Sequence, residues 1–457
     1  MPKITSLLKN VAANSITMGL MMLFQLLSVP IFLKYWGVEL YGEWLTLNTL
    51  TAYFQMTDVG LNTATGNSFT FNYLRGQFEK CTILINNNIF FILSAFVIIF
   101  LLIVGLGEMG FFIRLFHFSL IESSVVNTCL LLLFFQVMIG TFNNLLNTFY
   151  TATNNYARGI MIDNLIRFSE YAVLVIGVVS RISIVYVLVF GVFVKLVGLV
   201  YKFIDSSRFY QLSLGFRFLR KTELKEIFLP AISFFSFPVA NSLSFQGVTL
   251  LINFFLGSAS VVVFNTTRTL VNFSRSTIDI LHKSVWPEIS ISYGKEDLFK
   301  LRQIHYRTMG FSILLAIGTT LILFFTGDFL YTTWTKGAVK FDLILFTLLL
   351  LALITNTIWN SSAVLLQATN NHKNFSLFYL FTAILIFLTS LLILTTIKQV
   401  QYIPISMLFV DILLMAYVIK KTLRITEDSF SHFFAGTLSS IRAVFKSFPT
   451  AFSSFIK

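Results

Sequence analysis

Ala152-Thr153-Asn154-Asn155 returns as Ala368-Thr369-Asn370-Asn371, and each copy closes a long apolar stretch just before another begins. From residue 152 to residue 368 the separation is 216 residues, and further echoes sit 220 apart: Gly37 with Gly257, Tyr73 with Tyr293, Lys80 with Lys300. Both copies of the tetrapeptide end the fourth apolar segment of their half. The chain therefore reads as two similar halves, and internal repeats of this size in a membrane protein point to a transporter with its substrate site between the repeats.

Composition places the chain in a membrane. It is 56% hydrophobic and 12% charged, against about 25% charged residues in soluble domains. Its net charge of +13 raises the question of nucleic acid, but 53 Phe and so few charges cannot build a basic docking face. Cys81 and Cys129 both lie in or beside apolar segments and imply neither a disulfide framework nor a thiolate metal site. Lys3 and Lys9 precede an uncharged run over 10–33, too long for a signal-peptide core, which reads as the first span.

Apolar stretches of about 20 residues bounded by charge or turn residues predict twelve transmembrane helices. They cover 11–33, 43–67, 82–105, 124–148, 160–180, 183–204, 228–253, 258–282, 308–328, 343–367, 374–397 and 401–419. The expected organisation is an all-α integral membrane protein: a six-helix bundle over 1–204, a cytoplasmic linker over 205–226, a second six-helix bundle over 227–424 and a tail over 425–457. With both termini in the cytoplasm and 202–225 counted as an inside segment, the inside segments hold 23 basic residues, the outside loops six, and four fall within spans. That asymmetry follows the positive-inside rule. In the tail, Phe430, Phe433, Phe434, Leu438, Ile441, Phe445 and Phe448 recur at helical spacing, with Ser439, Arg442 and Lys446 on the other face. This predicts an amphipathic helix on the anionic cytoplasmic leaflet, the alternative being a helix packed on the bundle.

Ionisable residues inside spans carry the functional expectation, because each costs at least about 2.5–3.5 kcal/mol and normally faces a cavity or a partner. These are Asp58 in the second span, Asp163, Arg167 and Glu170 in the fifth, Lys195 in the sixth, and Arg268, Arg275 and Asp279 in the eighth. Spacings of three or four allow local pairing of Arg167 with Asp163 or Glu170, and of Arg275 with Asp279. Arg268 lies about 15 Å into its span with no acid three or four positions away. Lys195 is alone in its span, placed to snorkel or to pair across helices. Asn62 and its polar neighbours in the second span, together with the eighth span, are expected to line a polar cavity of net positive charge. Arg268, Arg275, Lys195 and Arg167 are its candidate substrate contacts, and Asp58, Glu170, Asp163, Asp279 and Asn62 its candidate ion-coupling or polar groups.

No enzyme signature is present. His117, His282, His305, His372 and His432 have no metal-ligand spacing, no phosphate-binding loop of the Walker type occurs, and no cofactor is expected. A membrane glycosyltransferase would need a large extracytoplasmic loop, and the longest here, about 106–123, is short. Energy for transport would come from an ion gradient or from the substrate's own gradient.

Gly37-Val38-Glu39-Leu40-Tyr41-Gly42-Glu43-Trp44, then Asp58-Val59-Gly60-Leu61 with Ala64 and Asn67, and the twelve-span layout resemble the polysaccharide exporters and O-antigen flippases (Wzx type) of the multidrug/oligosaccharidyl-lipid/polysaccharide superfamily. The resemblance implies two bundles in a V, related by an axis along the membrane normal, that alternate access around a central cavity. It implies an undecaprenyl-diphosphate-linked oligosaccharide as cargo, moved to the periplasmic leaflet of a bacterial inner membrane, and as partners membrane lipids, an O-antigen polymerase and a chain-length regulator. Two relatives in function stay open: a drug or cation exporter, whose cavity should favour acids, and a lipid II flippase, which usually adds two spans.

Overall fold

The computed structural model describes residues 4–55, 61–116, 118–219, 235–369, 371 and 373–455. Asp58 and residues 220–226 of the expected linker lie outside them.

Helix α1, Ile4–Gln55, is 52 residues long, about 78 Å at 1.5 Å per residue and far more than one span needs. Gly37 divides it, with φ 75 and ψ −179, a conformation open to glycine alone at little cost. The second span then runs from α1 into α2, Leu61–Leu74, and α3 follows as Phe78–Glu108. A short helix α4, Phe111–Phe116, leads to α5, Ser123–Ala152, α6, Tyr156–Val179, and α7, Ile184–Ser206. The second half begins with α8, Phe235–Leu256, whose Leu243–Gly247 segment winds as a π-helix. Then come α9, Ser258–Gly294, α10, Leu298–Thr335, α11, Leu343–Ala368, α12, Lys373–Thr396, α13, Pro404–Ile425, and α14, Phe430–Phe455.

Nine helices among the described residues are long and apolar enough to cross a membrane. One of them is the doubled α1. The expected spans that fall outside the nine are α6 and α9, the two that carry the clusters of ionisable residues, so the chain has the twelve-span repeat layout with its charge concentrated in one helix of each half.

The repeat is a repeat of backbone conformation. Gly257, 220 residues after Gly37, has φ 81 and ψ 175. Gly76 and Glu296 both sit at left-handed φ, 73 and 57, and close the same turn: Gly76 N–H donates to Tyr73 O at 3.0 Å and Glu296 N–H to Tyr293 O at 3.0 Å. The duplicated tetrapeptide builds one helix end twice. Thr153 Oγ1 donates to Phe149 O at 2.7 Å and Thr369 Oγ1 to Leu365 O at 2.8 Å, while Asn155 N–H reaches Tyr150 O at 2.8 Å and Asn371 N–H reaches Leu366 O at 2.9 Å.

The expected cytoplasmic loop over 283–307 is corrected by the structure. Apart from the turn at 295–297, α9 and α10 extend through it as helix, and the Asp297 side chain caps α10 by accepting from Lys300 N–H at 2.9 Å. Hydropathy falls there because the helices carry exposed charges, not because helix ends. The tail forms the expected amphipathic helix, α14. Its first turns pack on α10: Phe433 is buried and stacks on His305 at 4.6 Å, Tyr306 donates to Asp428 at 2.5 Å, and Gly436 lies against the Tyr306 ring. Phe430, Phe434 and Leu438 form an exposed row on the other side.

By packing, the chain forms two compact units, Met1–Val262 and Val263–Lys457. The first includes α8, where Asn253 Nδ2 donates to Thr46 Oγ1 of α1 at 3.0 Å. In the described part of the linker, Asn86 of α3 ties down the chain through Ser213 O at 2.8 Å and Gly215 N–H at 3.0 Å.

Candidate functional site

Within the first unit, α1, α5, α6, α7 and α8 surround a cavity of about 560 Å³. One wall is a charge ladder across α5, α6 and α7. On α7, Lys195 and Lys202 stand seven residues apart and therefore on one face. Lys195 Nζ lies 3.1 Å from Glu170 and donates to Gln136 O at 3.3 Å. Lys202 Nζ lies 2.5 Å from Asp163 and donates to Asn143 O at 3.0 Å. The acids are seven apart on α6, and the carbonyls seven apart on α5, so the second rung repeats the first two turns away.

The rungs differ in depth. Lys202 is fully buried, and Asp163 accepts a further bond from Asn147 at 2.8 Å. Lys195 and Glu170 keep 21% and 22% side-chain exposure and line the cavity. Between the two acids on α6 stands Arg167, exposed and part of the cavity wall. Asp163, four residues away, is engaged by Lys202 rather than by Arg167, which corrects the expected local pairing. Arg167 has no hydrogen bond or ion pair among the described residues. With each lysine matched to an acid, it leaves the wall one positive charge in excess.

Beside the hydroxyl residues Thr141 and Ser242, the remaining polar lining is carboxamide. Gln55 comes from α1, Gln136, Asn143 and Asn144 from α5, and Asn241 and Gln246 from α8. Gln246 belongs to the π-helical segment, a distortion frequent at functional sites. Asn143 Oδ1 and Gln246 Oε1 are buried and accept no hydrogen bond among the described residues, an arrangement that natural proteins rarely tolerate without a partner. The cavity thus offers amide donors and acceptors around one uncompensated guanidinium.

Other expected site residues lie elsewhere. Asn62 bridges helices, donating to Thr141 O at 3.1 Å and accepting from Asn88 at 2.9 Å. In the second unit Arg268 donates to Asn265 Oδ1 at 2.5 Å and lies 5.1 Å from the centre of the Phe264 ring, both on its own helix. Arg275 and Lys283 act electrostatically on half-buried Asp279.

Sequence reasoning missed several buried charges. Glu43 is almost fully buried and accepts from Ser119 N–H, Ser119 Oγ, Leu120 N–H and Ile121 N–H at 2.7–3.0 Å, fixing the entry to α5. Asp205 takes Arg158 through two nitrogens and Tyr150 at 2.8 Å. Asp411 accepts from Thr355 and Trp359, both at 2.7 Å. His282 bonds Ser312 and Ser361 at 3.0 Å, and His305 bonds Ser362 at 3.0 Å, so both are buried core residues.

No protein-family model matches the chain, and no curated protein matches it. Solved structures do. One described as an inward-facing conformation of a multidrug resistance MATE family transporter of the MOP superfamily aligns with TM-score 0.71 and 12% identity, covering 89% of this chain and 96% of its own. The fold is that of the MATE transporters. The MATE multidrug transporter DinF-BH, solved as a complex, aligns with TM-score 0.62 and 14% identity over 94% of this chain and 98% of its own. A MOP superfamily transporter from Pyrococcus furiosus, described as having a reverse polarity of binding pocket that suggests a different function, aligns with TM-score 0.57 and 13% identity, covering 92% and 96%. The chain is a multi-pass membrane protein with this fold.

Proposed function

We propose that this protein is an alternating-access transporter whose cargo is anionic and rich in hydroxyls, an undecaprenyl-diphosphate-linked oligosaccharide moved from the cytoplasmic to the periplasmic leaflet of a bacterial inner membrane. The observation that carries the reading is the cavity wall in which Arg167 stands exposed beside the ion-paired Lys195, in a cavity lined by six carboxamides. A planar guanidinium can bind phosphate oxygens through two parallel bonds, and amides satisfy sugar hydroxyls as both donors and acceptors. Asn143 Oδ1 and Gln246 Oε1 are acceptors suited to such donors. Arg268 and Arg275 are the candidate cargo contacts of the second half, with Glu170 and Asp279 as candidates for ion coupling.

A second reading rests on the fold: several of the matching structures are described as multidrug transporters. An exporter of small cations would work through the same architecture. Pocket polarity is the property that separates function in the description of the Pyrococcus furiosus protein, and here the wall charge is positive.

Deleting the gene in the producing cell discriminates. The flippase reading predicts loss of long surface polysaccharide and accumulation of the lipid-linked repeat on the cytoplasmic side. Normal polysaccharide with raised sensitivity to cationic dyes would establish the exporter instead.

A further inference from the structure

A second, smaller cavity lies in the other unit. Helices α9 and α10 diverge from their turn at 295–297 and leave a groove of about 220 Å³ between them. Lys300 and Arg307 stand on its α10 side, seven residues apart and so on one face, with Gln303 between them. Lys300 is 3.2 Å from Glu288 of α9, an exposed pair that contributes little by itself. Arg307 is exposed and has no hydrogen bond or ion pair among the described residues. Lys283 and Lys295 are exposed on the same two helices and their turn.

The groove is amphiphilic along its length. Its charged mouth lies near the 295–297 turn, on the side that the distribution of Lys and Arg assigns to the cytoplasm. Deeper, beyond Arg307, Phe311 leaves 46% of its surface exposed, and Leu281 and Val285 line the α9 side of the groove. Trp286, next to Val285, is 39% exposed, as is Tyr293. Exposed Trp and Tyr on a spanning helix mark headgroup depth, so the cations sit at the level of lipid phosphates and Phe311 points to the acyl region. A free phosphate would use the mouth and leave the apolar depth unexplained. A phospholipid fits both.

We infer that the α9–α10 groove is a binding site for one anionic phospholipid of the cytoplasmic leaflet, its phosphate held between Lys300 and Arg307 and an acyl chain lying against Phe311. Basic pockets between helices on the cytoplasmic side are suited to anionic headgroups. The site shares no residue with the cavity of the first unit and does not depend on the cargo.

The test is native mass spectrometry of the purified full-length protein titrated with dioleoyl-phosphatidylglycerol or dioleoyl-phosphatidylcholine, with inorganic phosphate and glycerol 3-phosphate as competitors. The wild type should retain phosphatidylglycerol in preference to phosphatidylcholine. Lys300→Gln with Arg307→Gln should weaken that retention by roughly tenfold or more, Arg307→Gln alone should give an intermediate loss, and Lys340→Gln should change nothing. All these positions are exposed, so an unaltered gel-filtration profile certifies the variants. Equal retention of the two lipids, full retention by the double variant, or displacement of lipid by millimolar inorganic phosphate would overturn the assignment.

Discussion

Lys195 and Lys202, seven residues apart on α7, make the same two bonds: each binds a carboxylate of α6 and donates to a carbonyl of α5. The duplication holds three helices in register and neutralises four of the five charges in the wall. Arg167 is what remains. The wall therefore carries one positive charge in excess, and the proposal of an anionic cargo rests on it.

The inner rung is structural. Lys202 is fully buried, and removing one member of a buried pair leaves an uncompensated charge, at roughly 3–5 kcal/mol. Lys202→Met and Asp163→Asn should each lower the Tm of the detergent-solubilised protein, and the double variant should recover most of the loss. Additive losses would show that the two side chains do not act as a pair.

The glycine motif after the first span answers to geometry. Gly37→Ala and Gly257→Ala place a Cβ at φ 75 and φ 81 with ψ near 180, a cost of about 1–3 kcal/mol each. Gly42→Ala should be worse, because a Cβ there would meet the Ser258 carbonyl oxygen at 2.2 Å and the backbone must move. Thermal denaturation of the three variants should rank Gly42→Ala least stable.

Much of the architecture is legible in the sequence because it rests on local chemistry. The repeated Ala-Thr-Asn-Asn marks two helix ends with matching hydrogen bonds, and Gly37 and Gly257 mark two matching kinks. What hydropathy hides is pairing at long range. Lys202 counts with the cytoplasmic stretch 202–225 because apolarity falls off at the end of α7, yet Asp163, 39 residues earlier, draws it into the core. Asp411 is inconspicuous inside an apolar window, its partners Thr355 and Trp359 lying more than 50 residues away. Glu43 reads as part of a motif without a role; its four donors come from a loop 76–78 residues on. Arg167 and Lys195 are legible because a charge inside a span needs a reason, but that Lys195 takes Glu170 while Arg167 pairs with no acid among the described residues is not.

The basic residues predict the topology. A cysteine introduced at Glu296, in the α9–α10 turn, should react with an impermeant maleimide only after the membrane is opened, and one at Gly337 should react in intact cells lacking an outer barrier. The reverse pattern would invert the chain and place the proposed lipid groove on the opposite leaflet.

Arg268 separates a cargo contact from a structural one. Its guanidinium donates to Asn265 and lies over Phe264. If it also meets cargo, Arg268→Ala should abolish polysaccharide display at normal protein level, with Arg268→Lys retaining part of the activity. Lowered abundance of Arg268→Ala in membrane fractions would make the residue structural.

Arg167 tests the central claim most directly. Because it is exposed and unpaired among the described residues, replacing it should leave folding intact and remove only the excess charge of the cavity. In a deletion strain complemented with Arg167→Ala, surface polysaccharide should fall at least about tenfold while immunoblots show wild-type protein in the membrane, and Arg167→Lys should restore part of it through charge without the bidentate fork. Full surface polysaccharide from Arg167→Ala at normal abundance would contradict the account.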